Sequence, residues 1–182
     1  SLAAFIAALI AIAVIGGLTY RSSGSRARAA RSMQRTEDTQ RQLYAVLSAI
    51  QDAETGQRGY LLSADAGYLE PYERARVEAP RAIGALRAIV ADDPRARAQL
   101  DRVESLAADK FAELERTIAM RRTGDVAGAQ AIMTSGHGRQ VMDQIRAVVG
   151  EMLADQTARL AIRTEEWHSA TRWSLYVTVA GT

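Results

Sequence analysis

The residues best placed to do chemistry lie in Glu54-Thr55-Gly56-Gln57-Arg58-Gly59-Tyr60-Leu61-Leu62. A carboxylate, an amide, a guanidinium and a phenol sit there within seven positions. Upstream, Leu43, Leu47 and Ile50 step by four and three residues, the spacing of one helix face. The same row continues to Glu54, Gln57 and Leu61, placing two polar side chains where a helical core expects aliphatics. A polar group inside a helical bundle is costly unless it finds partners. It either fixes the packing register or meets something that binds. Glu54 and Arg58, four apart, can pair along the helix, or Arg58 can reach Glu70 or Glu73 beyond the next turn. Gly56 and Gly59 remove bulk beside these groups, and Tyr60, Tyr68 and Tyr72 can bring hydroxyl-tipped rings to the same end. Glu54, Gln57, Arg58, Tyr60, Tyr68 and Tyr72 are therefore the candidate polar network or sensing site.

Other chemistry is missing. His137 and His168 are the only histidines, neither has a second at ligand spacing, and there is no cysteine. There is no phosphate-cradling glycine loop, nucleophile elbow or zinc pattern, so no catalytic residue, metal or cofactor is expected. Arginine outnumbers lysine 22 to 1, but the formal net charge is only +2 and acids interrupt the basic residues over most of the chain. That interspersion argues against nucleic-acid binding, which clusters positive charge. Met33, Met133, Met142 and Met152 fall on helix-lining positions and read as core fillers.

The elements that must position the polar network are all helical, since no stretch alternates with period two. The first soluble helix is predicted from about residue 25 to 62, stopped by Ser63-Ala64-Asp65, with Ser63 or Asp65 capping the next element. A second spans about 66 to 91, its inner face carrying Tyr68, Leu69, Tyr72, Ile83, Leu86 and Val90, with Pro80 expected to kink it. Asp93 caps and Pro94 starts a third helix, lined by Leu100, Val103, Ala107, Phe111, Leu114 and Ile118. Thr123-Gly124-Asp125 ends it, and a fourth is interrupted at Ser135-Gly136-His137-Gly138 before resuming at Val141. These elements predict an all-α, antiparallel, up-down-up-down four-helix bundle with long first and last helices.

Both ends read as membrane. Leu2 to Leu18 carry no charge, about the length a helix needs to cross a bilayer; a signal peptide is the competing reading. Trp167, Trp173 and Tyr176 precede an apolar run that resembles the start of a second span. The expected organisation is a transmembrane helix at 1–20, a four-helix domain at 21–172, and a second transmembrane helix beginning at 173–182. Arginines 21, 26, 28, 31, 35 and 41 favour a cytoplasmic placement, but long domains translocate regardless of charge, so orientation stays open from charge alone.

Residues 51–72 closely resemble the third class of CHASE domains, extracytoplasmic input modules of bacterial signalling receptors. The resemblance rests on Glu54 to Leu62 and on Tyr68-Leu69-Glu70-Pro71-Tyr72. Asp109-Lys110, Arg121-Arg122-Thr123-Gly124-Asp125, Ser135-Gly136 and Met142-Asp143-Gln144-Ile145 are further landmarks, giving coverage of about 36–153. It implies a periplasmic sensor domain between two spans of the cytoplasmic membrane, with a histidine kinase, cyclic-dinucleotide cyclase or chemoreceptor module after the second. The expected partners are the membrane, a second copy in a homodimer, and an unidentified small-molecule or physical stimulus. The alternative is a membrane-anchored helical oligomerisation spacer with no ligand of its own.

Overall fold

A computed structural model describes the backbone of residues 2–180 and the side chains of residues 30–158. Among the described residues there are helices and turns and no strand. The helices are α1 (Leu2–Ser63), α2 (Glu70–Ile89), α3 (Pro94–Arg122), α4 (Val126–Thr134) and α5 (His137–Ala180), with a single 3-10 turn at Ala66–Leu69. The chain divides into two compact units, 1–38 and 39–182. In the first, the described backbone, from residue 2, is helical throughout. The transmembrane helices expected at 1–20 and 173–182 lie outside the residues whose side chains are described. Among the described residues, no helix is long and apolar enough to cross a membrane.

The second unit is organised by two apolar clusters. In the larger, Leu43, Val46 and Ile50 of α1 meet Ile83 and Leu86 of α2, Leu100 and Val103 of α3, and Ile145, Val148 and Val149 of α5. The smaller joins Ala49, Ala53 and Tyr60 of α1 to Leu69, to Tyr72, Ala75 and Ala79 of α2, and to Leu114 and Ile118 of α3. Each fully buried aliphatic side chain contributes about 1.5–3 kcal/mol relative to exposure. The alanines in the smaller cluster leave little bulk between α1 and α2, so their backbones can approach closely.

The buried line of α1 is Leu43, Val46, Ile50, Ala53, Gln57 and Tyr60, whereas Leu47, Glu54 and Leu61 are only partly buried. The apolar row expected from the leucines is thus displaced by about one residue, with the small Ala49 and Ala53 buried in place of bulkier side chains. Met142 and Met152 fill the core, but Met33 and Met133 are exposed at 60% and 39%. Those two are not the core fillers their spacing suggests.

The helix ends follow local chemistry. Ala64, at φ 60°, closes α1 by donating its N–H to the Tyr60 carbonyl at 2.8 Å. Asp65 then caps the 3-10 turn, its Oδ1 accepting from Gly67 N–H at 2.8 Å. Asp93 Oδ1 accepts from the N–H groups of Arg95 and Ala96, each at 3.1 Å, with Pro94 opening α3. Asp125 Oδ1 accepts from Gly128 N–H at 2.9 Å to begin α4. Each such cap is worth about 1 kcal/mol. Gly124 and Gly136 take φ +88° and +81°, a region side chains disfavour, at the two breaks around α4. Pro80 lies on the exposed side of α2, which runs through it as one element.

Candidate functional site

α1 delivers Glu54, Gln57 and Arg58 along one turn, with Ala53 and Tyr60 holding the same stretch in the core. Gln57 is 2% exposed, and its Nε2 donates to Thr117 Oγ1 of α3 at 2.7 Å. The Thr117 hydroxyl donates in turn to a carbonyl of its own helix, that of Leu114 lying at 2.9 Å. The Gln57 amide donor and the Thr117 hydroxyl are thereby satisfied inside the core, as burial requires.

Glu54 faces a different partner. Its Oε1 accepts from Arg58 at 2.8 Å and from Lys110 Nζ of α3 at 3.2 Å. The Arg58 side chain is 60% exposed, so its bond to Glu54 contributes only about 0.3–0.5 kcal/mol. Glu70 and Glu73 pair instead with Arg74 and Arg76 of their own helix, so Arg58 does not cross the turn to them.

Lys110 is the only lysine of the chain and is 1% exposed. Besides Glu54, its ammonium donates to the Gly138 carbonyl at 3.4 Å and faces Glu113 Oε2 at 3.6 Å. Three oxygens from α1, α3 and the first turn of α5 thus surround one ammonium. A Cβ on Gly138 would stand 2.5 Å from Glu113 Oε2 and 2.7 Å from Lys110 Nζ, so the bare Cα makes the room that both side chains use. The Glu113 carboxylate also lies by the N-terminal end of α5, where the helix dipole favours negative charge.

The aromatic residues split. Tyr60 and Tyr72 are buried together in the smaller cluster, and the Tyr72 ring tilts against Phe111 at 6.3 Å between centroids. Burial pushes the Tyr72 phenol above its ordinary value, while the Arg76 guanidinium, 5.8 Å over the ring, works against that rise. Tyr68 is not on the inner face: it is 51% exposed, its ring lying over Gly59 and its carbonyl against Gly56. A Cβ at Gly56 would come within 2.6 Å of that carbonyl oxygen. The two motif glycines therefore let the 3-10 turn fold back onto α1.

Of the six expected residues, Glu54 and Arg58 touch each other, Gln57 points to a separate partner, Tyr60 and Tyr72 lie in the apolar cluster, and Tyr68 stays at the surface. Lys110, Glu113 and Thr117 complete the polar contacts and were not among the six. A signal for two of them exists: positions 103, 107, 110, 114 and 117 follow one helical row, with polar residues at the third and fifth places. Among the described residues no group of histidines, aspartates and glutamates could hold a metal ion.

Among the described residues the fold is all-helical with buried polar contacts between its helices, and comparison with known proteins identifies the family. The model of the CHASE3 domain matches residues 29–166, so this chain belongs to the CHASE3 domain family. The chain is also similar to the crystal structure of the sensor domain of the histidine kinase HK9 from Rhodopseudomonas palustris. That likeness has a TM-score of 0.62 and 26% identity, covering 70% of this chain and 98% of that one. No curated protein matches the chain. Family and structural neighbour together make this chain a sensor input module of a signalling receptor.

Proposed function

We propose that this module sits outside the cytoplasmic membrane as a four-helix bundle and passes a conformational change inward through α1 and α5. The four members are the second half of α1, α2, α3, and α4 continued by α5, alternating up and down. The supporting observation is the layout of the long helices. α1 and α5, of 62 and 44 residues, carry the chain from the core toward its two ends. Each supplies fully buried residues to the larger cluster, Leu43 and Ile50 from one and Ile145 and Val149 from the other. A shift of either is felt by the other through close packing, because packed interfaces move between discrete arrangements rather than deform continuously. The uncharged run near residue 2 and the Trp-flanked run near residue 173 supply the two spans. The module works as a homodimer, does no catalysis itself and needs no cofactor. The polar contacts of Glu54, Gln57 and Arg58, with Tyr60, Tyr68 and Tyr72 around them, are its responsive element.

Insertion of one to four residues after Ala158 in the intact receptor tests this reading. Each residue turns the following helix by about 100°. Transmission through α5 makes basal output rise and fall with the helical period. The rival reading, an oligomerisation spacer, draws support from the internally satisfied Gln57–Thr117 pair and makes output indifferent to the insertions.

A further inference from the structure

We infer that Lys110 is the switching centre of the module, an ammonium shared between α1 and α5 that can close on one side or the other. The inference rests on the receptor reading above and names the group through which its two long helices are coupled.

Three observations carry it. First, 22 arginines and one lysine occupy this chain, and among the described residues it is the lysine that lies buried. An ammonium is compact and offers three donors in a pyramid, whereas a guanidinium is a wide planar fork. Lys110 Nζ and the Glu113 carboxylate already occupy the room beside the Gly138 Cα, which is where the compact ammonium sits.

Second, its partners come from three helices: Glu54 of α1, Glu113 of α3 and the Gly138 carbonyl at the start of α5. Lys110 Nζ is thus a single atom at which α1 and α5 share a polar contact. The cluster alternates in sign from the surface inward as Arg58, Glu54, Lys110 and Glu113, so it is neutral as a whole.

Third, all three contacts are long. They measure 3.2, 3.4 and 3.6 Å, against about 2.7–2.9 Å for a well-formed charged hydrogen bond. Glu113 Oε2, buried, has no hydrogen bond at all. The ammonium is therefore hydrogen-bonded, at the long end of the range, to Glu54 and Gly138, while Glu113 faces it without a hydrogen bond. A displacement of α1 toward α3 shortens the Glu54 contact, and a displacement of α5 shortens that to Gly138. Because one ammonium bridges both helices, a shift of either changes the contact it keeps with the other, which is the coupling a two-state element requires.

The test measures basal output of the intact receptor in membranes for Lys110→Met, Lys110→Arg, Gly138→Ala and Arg74→Ala. Lys110→Met keeps the length and removes the charge. Gly138→Ala keeps every charge and presses on the cluster from α5. If Lys110→Met fails to fold because Glu113 is left bare, the double variant Lys110→Met with Glu113→Gln removes both charges together. Expected is a shift of basal output for all Lys110 and Gly138 variants, on the order of 5- to 150-fold in the underlying equilibrium, as for other coupled sites. Arg74→Ala, which removes an exposed pair on α2 outside the cluster, leaves output within about twofold, since such pairs carry little energy. Folded variants with unchanged output overturn the inference, as does Lys110→Arg behaving like wild type. Should the insertions after Ala158 still give periodic output while the Lys110 series is flat, only the switching centre falls. Flat output in both series removes the receptor reading itself.

Discussion

Gln57 Nε2 donates to Thr117 Oγ1 at 2.7 Å, joining two helices through side chains that are 2% and 0% exposed. Removing one partner strands the other in an apolar core, whereas removing both with shape kept is nearly neutral. Gln57→Leu and Thr117→Val should therefore each lower unfolding free energy by about 1–3 kcal/mol. The double variant should lose less than the sum. Urea denaturation of the four proteins in the cycle measures this, and additive losses would mean the hydrogen bond carries no net coupling.

Glycines in this chain fall into two kinds that one substitution separates. Gly56→Ala drives a Cβ to 2.6 Å from the Tyr68 carbonyl oxygen, which as backbone cannot step aside. It should cost about 1–3 kcal/mol, as overpacking does. Gly59→Ala meets only the ring of Tyr68, which is 51% exposed and free to turn, so its cost should be smaller. Gly84 and Gly150 have nothing within 4 Å of an added Cβ. Alanine at either should stabilise by up to about 1 kcal/mol through helix propensity. Thermal midpoints rank the four, and a Gly56→Ala protein as stable as Gly84→Ala would refute the close approach.

Ala64 presents the reverse case. It holds φ 60° at the end of α1, the left-handed conformation that glycine adopts freely. Ala64→Gly should raise stability by about 1 kcal/mol, the scale of the left-handed penalty. Asp93→Ala, which removes the cap shared by two N–H groups, should lower it by about 1 kcal/mol. Thermal unfolding of both variants against wild type checks the opposite signs.

Tyr72 gives a pH dependence with a definite sign. Its phenol is raised in the folded protein, first by burial and with a smaller push from Glu115 and Glu73, against Arg76 and Arg122. The unfolded chain ionises at its ordinary value of 10.0, before the folded one does. Its contribution is full below that value and is lost as pH rises through the folded value. Between pH 9 and 11, wild type should lose more stability than Tyr72→Phe. Parallel losses in urea midpoint would place the ionising group elsewhere.

Helix boundaries were the most legible part of this sequence. Asp93-Pro94, Thr123-Gly124-Asp125 and Ser135-Gly136 each carry their own local chemistry, and each break falls there. The phase of α1 was less so. Leu47 and Leu61 drew the apolar row one residue aside, whereas Ala49, Ala53 and the polar Gln57 hold the buried line. Bulk marks a core position in sequence, but Ala49 and Ala53, which have little of it, are buried as fully as the leucines and isoleucines around them. Of the two partners open to Arg58 in the sequence, Glu54 on its own helix or Glu70 and Glu73 beyond the turn, it takes Glu54. Lys110 and Thr117 were hidden because a charged or hydroxyl residue on a helix reads as solvated until its partners on other helices are known. Tyr68 read as an inner-face residue because its helix was expected to begin at 66. The 3-10 turn at Ala66–Leu69 changes the phase and turns its ring outward over Gly59.

The most direct test of coupling between α1 and α5 is the distance between them in the intact receptor. This chain has no cysteine, so with any cysteine elsewhere in the receptor replaced and labelled copies diluted with unlabelled ones, spin labels at Gln51→Cys and Glu151→Cys, both exposed, report the α1–α5 distance within one copy. Pulsed electron resonance in lipid nanodiscs would compare these labels with and without Lys110→Met. Removing the ammonium should shift the distance distribution or change its balance between two populations. A single unchanged distribution in a protein whose output has changed would contradict the coupling, because the signal would then bypass the packing of α1 against α5.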